Sequence, residues 1–218
     1  MKIELVAFDI AGTLIEDHDE VTFAFHSALQ QHGIFADFAE LREFKGGAKR
    51  EVIRHFVAKA RGTADENLVE AVFADFRRIL EEDYQPAPIA GVEGALRRLR
   101  ERKIKVATTT GFYRELRDAI LRRLGWSAVF DANVCSDDVA RGRPSPEMIF
   151  RTMELCGVSD PGKAMAVGDT PFDLQAGTAA GCGAVVGVLT GVHPRERLER
   201  EPHTHIVASA AEIAILIE

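Results

Sequence analysis

Short, nearly continuous apolar runs recur along the chain at residues 3–8, 105–109, 132–135, 164–167 and 184–188, with a weaker one at 205–207. Each is rich in Val, Ala or Ile, and each is separated from the next by a stretch with helical spacing. Apolar runs without polar alternation are strands covered on both faces, and strands alternating with helices form a parallel sheet. The pattern therefore predicts an α/β fold.

Residues 21–84 break that alternation and contain no strand pattern. Leu68, Val69, Val72, Phe73, Phe76, Ile79 and Leu80 follow the three-and-four spacing of an amphipathic helix. Residues 63–65 supply capping chemistry in front of it. Gln85-Pro86-Ala87-Pro88 then marks the return, because proline cannot continue a helix. The reading is an α/β core from residues 1–17 and 86–218 and a helical insertion from 18–85. Phe23, Phe25, Phe38, Phe44 and Phe56 are expected to pack inside that insertion.

Composition changes this picture little. With 46% hydrophobic residues there is ample material for a core. A net charge of −7 and a pI near 5.6 leave no basic face for nucleic acid. The first apolar run is too short to span a membrane and is interrupted by Glu4 and Asp9. Cys135, Cys156 and Cys182 are odd in number and form no CxxC pair, so a reduced, cytoplasmic setting is expected. The histidines show no metal-ligand spacing, and His203 and His205 read as structural. The oligomeric state stays open, a homodimer included.

Ligands of an open parallel sheet bind beyond the carboxyl ends of its strands. Four polar clusters fall at or soon after such ends: Asp9, then Thr108-Thr109-Thr110-Gly111, then Gly142-Arg143-Pro144, then Gly168-Asp169-Thr170 with Asp173. Together they suit phosphoryl transfer, which needs a nucleophile, charge neutralisation and a metal. Asp9, Asp169 and Asp173 offer the hard oxygen donors that Mg²⁺ prefers. Thr110 and the amides near Gly12 can donate to phosphoryl oxygens, and Arg143 can neutralise them.

In this order the clusters resemble the four motifs of the haloacid dehalogenase superfamily. The resemblance spans essentially the whole chain and implies a Rossmann-like core with a small α-helical cap inserted after the first strand. It implies Asp9 as nucleophile, with Mg²⁺ held by Asp9, Asp169, Asp173 and the Ala11 backbone carbonyl. Ala11 stands where most family phosphatases carry a second Asp that protonates the leaving group. The sequence DIAGT at this position resembles the phosphonatase branch (phosphonoacetaldehyde hydrolase), as do TTGF at 109–112 and DDVARGRPSP at 137–146. That branch cleaves a C–P bond through a lysine Schiff base, and Lys45-Gly46-Gly47-Ala48-Lys49 is similar to its lysine motif.

The resemblance thus implies Asp9, Thr110, Arg143 and Lys49 as catalytic residues, and Gly12, Gly111, Gly46, Lys45 and Phe112 as substrate contacts. A protonated imine is an electron sink for a carbon leaving group, so the lost acid and the gained lysine fit together. Like-charge repulsion from Lys45 and Arg50 is expected to favour the neutral Lys49 amine. Asp19, Lys45, Val52 and Phe112 depart from the branch's usual cysteine, methionine, histidine and tyrosine. The substrate is expected to be a small phosphonate or phosphate. A phosphomonoesterase resembling phosphoglycolate phosphatase is the alternative, and a non-catalytic binding protein of this fold a remote one.

Overall fold

A computed structural model describes residues 2–217 of the chain. Their contacts divide it into two units, one formed by the chain up to Asp17 and again from Pro86 onward, the other by His18–Gln85.

The first unit is built on a parallel sheet of six strands: β1 (Leu5–Phe8), β2 (Lys105–Thr110), β3 (Ala132–Cys135), β4 (Ala164–Gly168), β5 (Ala184–Val188) and β6 (His205–Val207), in the order β3-β2-β1-β4-β5-β6. β1, β4 and β5 are buried along their whole length, the physical reason their sequences do not alternate. Small side chains let the covering helices approach closely. Ala107, Ala132, Ala164, Ala166, Ala176 and Ala180 form a cluster with Leu5, Ile149 and Met153. A Cβ on Gly177 would lie only 2.7 Å from that of Ala166.

The strand order reverses between β1 and β4, so the chain leaves β1 toward one edge and later returns to its other side. Such a reversal opens a crevice at the carboxyl ends of the two strands. Their register, with Phe8 beside Val167, puts Asp9 and Asp169 at that crevice.

The second unit is wholly helical: α1 (Glu20–Gln31), α2 (Phe38–Glu43), α3 (Lys49–Arg61) and α4 (Glu66–Asp83). Asp65 caps α4 by accepting from the amides of Asn67 and Leu68. Of the apolar positions of α4, Val69, Val72, Phe73, Phe76 and Leu80 are buried. Phe25 of α1 stacks on Phe76, their ring centroids 4.4 Å apart. Phe23 does not join this packing and is 60% exposed, because it lies on the face of α1 away from Ala24, Phe25, Ala28 and Leu29.

The first unit adds α5 (Val92–Glu101), α6 (Arg114–Arg123), α7 (Glu147–Cys156), α8 (Pro171–Ala179), α9 (Arg195–Leu198) and α10 (Ile213–Leu216). Helix α7 packs on β1, β2 and β3, and α8 on β4 and β5. Among the described residues no helix is long and apolar enough to cross a membrane.

Candidate active site

Asp9 follows β1 directly, and its amide donates to Val167 O at 2.8 Å, so the first residue past β1 is held by the edge of β4. Asp169 follows β4, and Asp173 lies in the first turn of α8. Carboxylate oxygens of these three residues lie within 4.8 Å of one another, all buried. Arg143 is the cation among them. Its Nη1 donates to Asp9 Oδ1 at 2.7 Å and lies 2.6 Å from Asp173 Oδ1. Its Nη2 donates to the carbonyl and hydroxyl oxygens of Thr109, at 2.8 and 2.7 Å. The residues after β3 anchor the loop that carries Arg143: Asp138 accepts from the Cys135 amide and Arg117, and Asp137 from the Arg114 amide.

Three carboxylates against one guanidinium leave excess negative charge in a buried space. Burial, only partly offset by Arg143, pushes the Asp9 carboxyl up to about 6. Burial and the charges of Asp9 and Asp173 hold Asp169 well above the ordinary carboxylate range. Asp173 is more fully engaged: its Oδ2 accepts from the Thr170 amide and hydroxyl in a capping box at the start of α8. Asp169 Oδ1 accepts from Thr13 Oγ1 at 3.0 Å, whereas its buried Oδ2 has no hydrogen-bond partner. An orphaned carboxylate oxygen beside other carboxylates fits a hard divalent cation, which would supply the missing charge and ligand.

The other residues singled out in this unit lie close by in sequence and fold. Ala11 and Gly12 form the turn after Asp9, with Gly12 at a φ of +79°. The Gly12 amide donates to Ile15 O, which fixes the plane of the peptide that contains the Ala11 carbonyl. Thr110 ends β2, is buried, and accepts from the Phe112 amide at 3.2 Å, which keeps its hydroxyl hydrogen for a second partner. Gly111 and Phe112 follow it, both buried.

Lys45, Gly46 and Lys49 belong to the helical unit. Lys49 opens α3, is buried, and donates from Nζ to Gly47 O at 3.2 Å, with the Phe25 ring centroid 6.0 Å away. Lys45 is also buried and donates to Asp19 Oδ1 at 3.0 Å. Burial alone would raise the Asp19 carboxyl, but hydrogen bonds from Arg42 and Lys45 hold it below its ordinary value. Arg50 pairs with Glu70 at 2.8 Å and lies 3.9 Å over the Phe73 ring. Lys45 and Arg50, the cations on either side of Lys49 in sequence, thus each pair with a carboxylate.

Sequence reasoning missed Thr13 and the loop after β5, and it placed Thr170 in a cluster without giving it a role. Thr190 Oγ1 donates to Gly12 O at 2.6 Å, and Gly191 approaches Asp169 closely enough that a Cβ there would lie 1.9 Å from Oδ2. A signal existed, since Thr190-Gly191 follows a strand end as the other clusters do. His203 and His205 are exposed. Burial pushes the thiols of Cys135 and Cys182 up to about 12, so neither is a thiolate at neutral pH.

A family model for haloacid dehalogenase-like hydrolase matches residues 3–181. Phosphonoacetaldehyde hydrolase of Bacillus cereus is 32% identical over 208 residues, covering 88% of this chain and 77% of that one. A phosphonoacetaldehyde hydrolase-like protein from Oleispira antarctica superposes with a TM-score of 0.84 at 23% identity, over 100% of this chain and 92% of that one. A predicted phosphoglycolate phosphatase from Haemophilus somnus 129PT gives a TM-score of 0.80 at 20% identity, over 100% and 99%.

Proposed function

Because this chain belongs to the haloacid dehalogenase-like hydrolase family, we propose that it cleaves the C–P bond of a small phosphonate aldehyde, phosphonoacetaldehyde being the chosen substrate. The observation that carries this reading is Ala11, two residues beyond a buried Asp9 paired to Arg143. In this reading Asp9 is the nucleophile and Arg143 its neutralising cation, while position 11 carries no acid to protonate an oxygen leaving group. The likeness to the Bacillus cereus enzyme supports the same choice.

In the proposed reaction, the Lys49 amine condenses with the substrate aldehyde, releasing water and forming an imine. An Asp9 carboxylate oxygen attacks phosphorus, the C–P bond breaks, and its electron pair flows into the protonated imine as an enamine. Water then hydrolyses the aspartyl phosphate to phosphate, and protonation and hydrolysis of the enamine release acetaldehyde. Arg143 and Thr110 hold the phosphoryl oxygens with the Gly111 amide, while Gly12, whose own amide is bonded to Ile15 O, shapes the turn beside them. Mg²⁺, held by Asp9, the Ala11 carbonyl, Asp169 and Asp173, would supply positive charge for the transferring group.

Two features favour Lys49 over Lys45 as the amine. Lys45 is tied to the Asp19 carboxylate, which occupies its ammonium group as an ion-pair partner. Lys49 donates to a carbonyl, is buried, and begins a helix, where the dipole opposes a cation. We propose that the helical unit acts as a substrate-binding cap contributing Lys45, Gly46 and Lys49, with Phe112 from the other unit.

The test is borohydride trapping with phosphonoacetaldehyde, followed by peptide mass mapping. The expected result is a reduced adduct on the Lys49 peptide, absent in Lys49→Arg, which also loses C–P cleavage. Cleavage that survives in Lys49→Arg without any adduct leaves an ordinary phosphatase with Lys49 as an anion-binding residue.

A further inference from the structure

The loop that follows β5 contributes to the site without supplying a charged group to it. Thr190 Oγ1 donates to the carbonyl oxygen of Gly12 at 2.6 Å. The adjacent Gly191 approaches Asp169 so closely that a Cβ built on it would lie 1.9 Å from Oδ2 and 2.5 Å from Cγ. Gly12 presses on the same oxygen from the loop after β1, where a Cβ would lie 2.5 Å away. Two bare Cα atoms from separate loops therefore flank the one buried oxygen of Asp169 that no hydrogen bond satisfies.

The two glycines are glycine for different reasons. Gly12 has a φ of +79°, a conformation that already disfavours a side chain. Gly191 has no positive φ, so nothing in its backbone demands glycine. What it requires is space beside Asp169. Thr190 in turn ties this loop to Gly12, whose amide is held by Ile15 O at 2.8 Å. Both hydrogen-bonding groups of Gly12 are thereby taken, one within its own turn and one across to the β5 loop.

We propose that Thr190 and Gly191 are positioning residues for a divalent cation: Gly191 keeps Asp169 Oδ2 turned toward the cation, and Thr190 fixes the Ala11–Gly12 turn. Neither need touch the ion. The inference rests on the metal assignment in the proposed function and extends it to a loop outside the four motif clusters.

The test uses metal-stripped full-length protein, MgCl₂ titration calorimetry, and thermal melts with and without Mg²⁺. Groups that orient metal ligands without touching the metal are worth about 10–100-fold in affinity. Thr190→Val, which keeps shape and loses the hydroxyl, is expected to weaken Mg²⁺ binding by about that factor while the metal-free melting point moves by only a few degrees. Thr190→Ser is expected to restore binding. Gly191→Ala is expected to abolish the Mg²⁺-induced rise in melting point, with metal-free circular dichroism unchanged. If Gly191→Ala fails to fold, the Thr190 pair decides the matter alone. Wild-type affinity in Thr190→Val, or equal weakness in Thr190→Ser, overturns the proposal and leaves the metal assignment standing. Absence of Mg²⁺ binding by the wild-type protein removes the assignment and the proposal together.

Discussion

Asp9, the proposed nucleophile, is held in the fold at the expense of stability. Burial raises its folded carboxyl from 3.8 to about 6, so ionising it in the metal-free fold is unfavourable relative to the unfolded chain. The cost is absent below about pH 4, grows between there and pH 6, and is complete above. Metal-free Asp9→Asn is therefore expected to be more stable than the wild type by roughly 3 kcal/mol at pH 7.5. The gap should close as pH falls toward 4, read by urea unfolding at a series of pH values. A constant gap across that range would mean that the charge of Asp9 is not its source. The same variant should have no turnover, since an amide cannot be the nucleophile. At Ala11, installing Asp tests which leaving group the site is built for. Ala11→Asp is expected to raise turnover of an alkyl phosphomonoester such as phosphoglycolate by about 10²-fold through general-acid catalysis, without improving C–P cleavage.

At the scale of elements, the helical unit depends on a seam between α1 and α4. Phe76 is fully buried between the rings of Phe25 and Phe73, with centroids 4.4 and 6.2 Å away. Phe76→Ala is expected to cost about 3–5 kcal/mol, because the cavity it leaves cannot collapse between rigid helices. Hydrogen exchange should quicken in α1 and α4 while β1 and β4 stay protected. Equal acceleration in the strands would show that the two units unfold as one. The helix was legible in the sequence because its apolar positions recur every three or four residues and Asp65 caps it. Phe23 was misjudged because one aromatic residue in a mixed helix carries no sign of which face it occupies.

For the molecule as a whole, the proposed divalent cation would link the site to stability. Three buried carboxylates, those of Asp9, Asp169 and Asp173, gather with one guanidinium to balance them, so the metal-free fold carries repulsion among them. Mg²⁺ at a hundredfold excess over its dissociation constant is expected to stabilise the protein by about 2.7 kcal/mol. Excess EDTA should reverse this in differential scanning calorimetry. An unchanged melting point with both would exclude a specific cation in that cluster.

The strands, the insertion between the first two, and the residues Asp9, Arg143, Asp169 and Asp173 could all be read from the chain. Each leaves a local mark: a run of buried residues, a change of period, or a polar cluster at the end of a strand. The strand order β3-β2-β1-β4-β5-β6 left no such mark. Nor did the pairing of Arg143 with Asp9, 134 positions apart, or that of Lys45 with Asp19, 26 positions apart. The Thr190–Gly191 loop was likewise invisible as a partner of Gly12 and Asp169. Local pattern records what a residue needs from its neighbours in sequence. Which charge meets which, and which glycine is required for space alone, depends on distances that exist only once the strands are side by side.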